Sequence, residues 1–93
     1  MTSMIEEAQK LVDGQRNEDY GDINHSFIRI ARLWSAYLNV ELDKYDVAKM
    51  MILLKVSRAK NRNHRDSYVD IIGYVECVEK LLAHDRQIQD ELQ

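Results

Sequence analysis

The sequence predicts an all-α protein, a four-helix bundle that completes its core by oligomerising. Three observations carry this reading. The 93 residues contain no proline and only three glycines, so few positions interrupt a helix. Apolar residues recur at three- and four-residue spacing in four separate segments. Short links join the longer segments, which makes neighbouring helices antiparallel.

The first helix is expected from about Ser3 to Asp13. Ser3 and Glu6 have capping-box spacing, in which each side chain satisfies the other's backbone N–H. Met4, Ile5, Ala8, Leu11 and Val12 make its apolar stripe, and Gly14 is its natural terminator. A polar loop follows over Gly14 to Asn24. The second helix is expected from about His25 to Asn39, with Asn24 or Ser26 as its cap and with Phe27, Ile30, Ala31, Trp34 and Leu38 in register.

The third helix is expected from about Lys44 to Lys60 with Asp43 as N-cap. At about 100° per residue, Asp46, Lys49, Ser57 and Lys60 share one solvated stripe, and almost everything else is apolar. Such a helix is expected to be buried on most sides. Asn61 to Arg65 is a short polar link. The fourth helix starts near Asp66 and extends to about Asp90, with Tyr68, Ile71, Ile72, Val75, Val78 and Leu82 marking its expected core face. From about residue 85 the tail is polar on all sides and expected to fray.

Composition narrows the functional classes. One domain of this length buries a modest core, so a homo-oligomer is expected around the third and fourth helices. A net charge of −3 argues against bulk electrostatic binding to duplex nucleic acid. The single cysteine, Cys77, fits a reducing compartment. No apolar run nears the ~20 residues that span a bilayer. The first eleven residues carry Glu6, Glu7 and Lys10, unlike a signal peptide. The expected location is the cytoplasm.

Two residues break the apolar pattern of the third helix. Lys55 falls between its apolar arcs and Arg58 lies beside Met51. A lysine in a buried surface is costly unless it meets an anion, so both point to a phosphate or carboxylate, although a snorkelling lysine and a C-terminal dipole partner are the ordinary alternatives. From Lys55 to Arg65 the chain also carries Lys60, Arg62 and His64 and no acid, a patch suited to a small polyanion. Asp66 and Asp70, at i and i+4, face the same way. They are candidates to pair with the cations, to contact a ribose or base, or to hold Mg²⁺. Tyr20, Gly21 and Tyr74 are candidates to meet a base, with Arg16 and Asn17 preceding the first two. The histidines show no metal-ligand spacing, and there is no P-loop, triad element or CxxC.

These residues carry a resemblance. Tyr20-Gly21, then Phe27 and Ile30-Ala31-Arg32-Leu33-Trp34, resembles the front half of a family of small phage and prophage proteins. Asp46-Val-Ala-Lys-Met-Met-Ile-Leu-Leu-Lys55 with Arg58, followed by Asp66-Ser-Tyr-Val-Asp70-Ile-Ile-Gly73-Tyr74, resembles its back half. The resemblance spans residues 4 to 82. Its helical layout is similar in turn to the MazG-like nucleotide pyrophosphohydrolases, which implies an oligomeric bundle and a nucleotide ligand. Those enzymes hold Mg²⁺ with paired acids on adjacent helices. Here one pair falls at Asp46 and Lys49, where a lysine cannot ligate, and the other at Asp66 and Asp70, spaced by four rather than three.

The expectation that follows is a phage-type nucleotide-binding protein. It would sequester a nucleotide second messenger of host defence, linear or cyclic, without hydrolysing it and without a cofactor. Lys55, Arg58, Arg62 and Arg65 would meet phosphate; Tyr20, Gly21, Tyr74, Asp66 and Asp70 would meet base or ribose. The alternative is a Mg²⁺-dependent (d)NTP pyrophosphohydrolase using Asp66, Asp70 and Asp46 or Glu7. A further alternative is a helical adaptor that inhibits a host protein.

Overall fold

The structure, a computed structural model, describes residues 2–14 and 22–92. Helix α1 is Met4–Asp13, α2 is Ile23–Leu38, α3 is Lys44–Arg58 and α4 is Arg65–Leu92. No strand occurs among the described residues.

Local chemistry sets each boundary. Ser3 Oγ accepts from the Glu6 N–H at 3.1 Å and starts α1. Gly14 ends it by donating to the Lys10 carbonyl at 2.9 Å, in a geometry where a Cβ would lie 2.8 Å from that oxygen. Helix α2 begins earlier than its periodicity implies. Its cap is Asp22, which accepts from the Asn24 N–H at 2.8 Å, rather than Asn24 or Ser26. Those two side chains are buried inside the helix, and the Asn24 amide oxygen is engaged by Lys44. Asn39, in the left-handed conformation at φ 55°, ends α2. The chain then doubles back, and the Leu42 N–H donates to Ser35 Oγ at 2.9 Å. Asp43 caps α3 as expected, in a reciprocal box with Asp46, and α3 ends at Arg58, two residues before Lys60. The polar tail continues α4 as an exposed helix to Leu92.

Helix α4 is the spine against which α1, α2 and α3 pack, and α2 also packs on α3. Val12, Ile23, Phe27, Ala31, Val47, Ala48, Cys77 and Leu81 form the core, with Trp34 partly buried against it. Two expectations are corrected here. The buried face of α4 is the stripe of Ser67, Val69, Gly73, Cys77 and Leu81. The bulky stripe expected to face the core is divided: Val75 is 52% exposed, Leu82 44% and Tyr68 37%, while Ile71, Ile72 and Val78 are half-buried and Val78 packs on the core. The reason is where the neighbouring helices lie. Helices α1 and α3 pack on α4 over a stripe where the small Ser67, Gly73 and Cys77 stand beside Val69 and the fully buried Leu81. Helix α3 is likewise buried only around Val47 and Ala48, while Leu53, Leu54 and Val56 are half or more exposed.

Candidate functional site

Helices α3 and α4 run antiparallel, joined by residues 59–64. This brings Lys55 Nζ to 3.1 Å from Asp70 Oδ2. The lysine side chain is 12% exposed and the aspartate 18%. Each charge is costly to bury, and each supplies the counter-ion that the other needs. The lysine that broke the apolar pattern therefore meets an anion within its own chain.

One helical turn inward from Lys55 on α3 is Met51, and one turn inward from Asp70 on α4 is Tyr74. Both line a cavity of about 100 Å³ in the bundle interior. Phe27, Ile30 and Val47 make most of its apolar wall, and Ser26 and Cys77 add polar atoms. Val12 and Ile23, also in the wall, belong to α1 and α2. All four helices thus contribute to one apolar chamber with a buried ion pair a turn away.

The other candidates are distributed unevenly around this centre. Arg58 and Arg62 are exposed at the turn between α3 and α4. Arg65 forms an ion pair with Glu7 of α1 and donates to the Thr2 carbonyl at 3.1 Å. The Arg65 guanidinium holds the Glu7 carboxyl below the usual glutamate range. Asp66 is exposed in the first turn of α4, where its charge suits the helix dipole. Tyr20 and Gly21, with Arg16 and Asn17, lie outside the described residues.

Asp46 does not join Asp66 and Asp70. Its carboxylate accepts from the Asp43 N–H at 2.9 Å, closing the α3 capping box. Nine residues separate it from Lys55, roughly 13 Å along the helix axis. Among the described residues, no three His, Cys, Asp or Glu side chains are grouped to hold a metal ion.

A polar network at the opposite end of α3 went unseen in the sequence. Lys44 Nζ donates to Asn24 Oδ1 and to Asp85 Oδ1, both at 2.6 Å. The Tyr45 hydroxyl donates to the other Asp85 oxygen. These bonds tie α2, α3 and α4 together. Burial and the bond to Asp85 push the Tyr45 phenol up to about 12, and Lys44 and Tyr45 hold the Asp85 carboxyl below its ordinary value. The available signal was a lysine in the first turn of α3, where the helix dipole disfavours a cation without an acidic partner.

Comparison with known proteins places these observations. The sequence profile of a domain of unknown function, DUF6378, matches residues 3–82. The Gene 55 protein of Mycobacterium phage D29 is 48% identical over 80 residues, covering 85% of this chain and 53% of the relative. The Gene 55 protein of Mycobacterium phage L5 is 47% identical over 81 residues, covering 85% and 52% respectively. The chain spans about half the length of these curated relatives. No solved structure matches.

Proposed function

This chain belongs to the DUF6378 family, and from its bundle interior we propose that it binds a nucleotide without hydrolysing it. The observation that carries the reading is the buried Lys55–Asp70 pair one turn from an apolar cavity lined by Tyr74. Ligand sites typically combine apolar walls with a few placed polar groups. Here the walls would receive the base, and Asp70 would accept from a ribose hydroxyl. Lys55 would turn to phosphate, with Arg58 and Arg62 adding positive charge at the adjacent turn. Asp66 and Arg65 lie on the same end of α4 and extend this polar rim. Such binding uses cations and an apolar wall and needs no metal cage. In the phage setting that its relatives suggest, the ligand proposed is a nucleotide second messenger of host defence. MazG-like hydrolysis is the weaker reading, because Asp46 serves the α3 cap.

The protein is proposed to act as a homo-oligomer. Leu53 and Val56 of α3 and Val75 and Leu82 of α4 are exposed on the outer sides of two helices that pack together. Exposed Lys49 and Glu79 border this surface, so a two-fold axis could set one against the other.

The test is incubation with a panel of linear and cyclic nucleotides, with and without EDTA. Chromatography of the supernatant and of heat-released ligand follows. The expected result is depletion in both conditions with intact recovery. Release of monophosphate and pyrophosphate, abolished by EDTA, would establish the hydrolase instead. Absence of depletion across the panel would leave the adaptor.

A further inference from the structure

Helix α4 outruns the bundle. Among the described residues, Asp85 makes its last polar bonds to another helix, through Lys44 and Tyr45. Every residue from Arg86 to Leu92 is exposed. Ile88 and Leu92 follow the fully buried Leu81 by seven and eleven residues, so they prolong the stripe that faces the core. Leu92 is nonetheless 83% exposed. The last turn also carries Asp90 and Glu91 and no Lys or Arg. Acids at a helix C-terminus oppose its dipole unless cations from elsewhere meet them. Two helical turns with an uncovered apolar stripe gain little stability by themselves.

Helix α2 offers the complementary face. It contains no acid. Arg29, Leu33 and Tyr37 follow one another at four-residue spacing on its outer side, with Arg32 beside them, and Tyr37 is 89% exposed. Both arginines line a surface groove with His25 and Ile28. Among the described residues neither arginine is in an ion pair. The tail of the same copy cannot cover this face. Helix α2 starts beside that tail, where Asp22, Ile23 and Asn24 share a cleft with Lys80, His84 and Gln87. From there it runs toward the other end of α4, with Phe27 and Ile30 sharing the interior chamber with Tyr74 and Cys77. Leu33 and Tyr37 are therefore roughly 14–20 Å further along the α2 axis than Asn24, away from the tail.

We propose that the last two turns of α4 dock on the outer face of α2 in a second copy of this chain. Set antiparallel, Ile88 meets Tyr37, Leu92 meets Leu33, and the acids of the last turn come to Arg29 and Arg32. One copy carries both halves of the contact, so two copies exchange tails about a two-fold axis. Two turns of helix bury less than the ~800 Å² per partner of a standard interface, so the contact reinforces an assembly rather than holding copies together alone. It rests on the homo-oligomer reading above and adds a second contact to the one on α3 and α4.

The experiment is sedimentation equilibrium of the full chain across a dilution series. It compares the parent, Arg29→Glu/Arg32→Glu, Asp90→Lys/Glu91→Lys, and an equimolar mixture of the two variants. Each variant sets like charges against each other, and the mixture restores opposite charges at both contacts. The expected result is that each variant dissociates at a concentration at least about tenfold above the parent's, and that the mixture returns to the parent's value. All four substituted residues are exposed, so helical circular dichroism should be retained. Should the α2 variant fail to fold, Ile88→Ser/Leu92→Ser, beyond the packed part of α4, is expected to weaken the assembly to a similar extent. Folded variants that dissociate like the parent, or a mixture that does not recover, overturn the tail contact and leave the α3–α4 assembly standing. A parent that is monomeric throughout the series overturns both.

Discussion

At the scale of single residues, Lys55 and Asp70 concentrate the question of what is structure and what is site. Lys55→Met retains the stem and removes the charge, leaving Asp70 buried without its ammonium partner. Thermal and urea melts should show a loss of about 3 kcal/mol, the low end for breaking a buried pair, since Asp70 keeps some access to water. The double variant Lys55→Met/Asp70→Leu removes both charges and should recover most of that loss. Nucleotide titration of this stable double variant then isolates function: binding should fall by two orders of magnitude or so, on the scale of ~2–5 kcal/mol for a removed partner of a buried charge pair. A double variant that binds like the parent would sink the phosphate assignment. Tyr45 supplies a pH test. Its phenol is held protonated up to about 12 in the folded protein, against 10.0 ordinarily. Stability from this group is therefore fully present below pH 10 and lost between 10 and 12, as the unfolded chain ionises first. Tyr45→Phe has no phenol to ionise, so its melting temperature should fall less steeply than the parent's across that interval.

At the scale of elements, the four helices owe their boundaries to caps of unequal legibility. Ser3, Gly14 and Asp43 occupy the positions that helix chemistry assigns to them, and each functions there. Asp43 closes a reciprocal box with Asp46, satisfying two backbone N–H groups at once. Asp43→Ala should cost about 1 kcal/mol in urea unfolding with little change in slope. The start of α2 was less legible because Asp22 and the expected caps Asn24 and Ser26, at alternate positions, all have side chains that suit a cap. Tertiary burial decided among them by drawing Asn24 and Ser26 into the interior. Helix α4 is the sharper case. Its apolar periodicity was plain, yet the helix buries the neighbouring stripe of Ser67, Val69, Gly73, Cys77 and Leu81. A helix wheel ranks faces by hydrophobicity, whereas the position of the packing helices decides which of two adjacent apolar faces is covered.

At the scale of the whole molecule, the outward apolar stripes have a measurable consequence. A folded monomer of 11.0 kDa is expected to expose about 5,600 Å². This chain exposes 6924 Å², roughly 1,300 Å² more. A standard protein–protein interface removes about 800 Å² from each partner, and the exposed Leu53, Leu54, Val56, Val75 and Leu82 are the apolar side chains expected to contribute to it. Light scattering at tens of micromolar should give at least twice the chain mass. Leu53→Asp and Val75→Asp, each adding a charge to the outer apolar surface, should shift the protein to monomer while its helical circular dichroism is kept. A parent that scatters as a monomer would count decisively against the assembly.

The sequence by itself determined the all-α class, the existence and order of the four helices, most of their caps and the oddity of Lys55. These are local properties, set by backbone preference and by spacing along one chain. It also carried enough family pattern to point to small phage proteins, a likeness that the relatives bear out. Only the tertiary structure decided that Lys55 meets Asp70 and that Lys44, Tyr45, Asn24 and Asp85 form one network. Only the tertiary structure, too, decided which face of α4 is inside. The ion pair and the network join residues 15 to 41 positions apart, and periodicity within a helix carries no information about the angle and depth at which another helix packs on it.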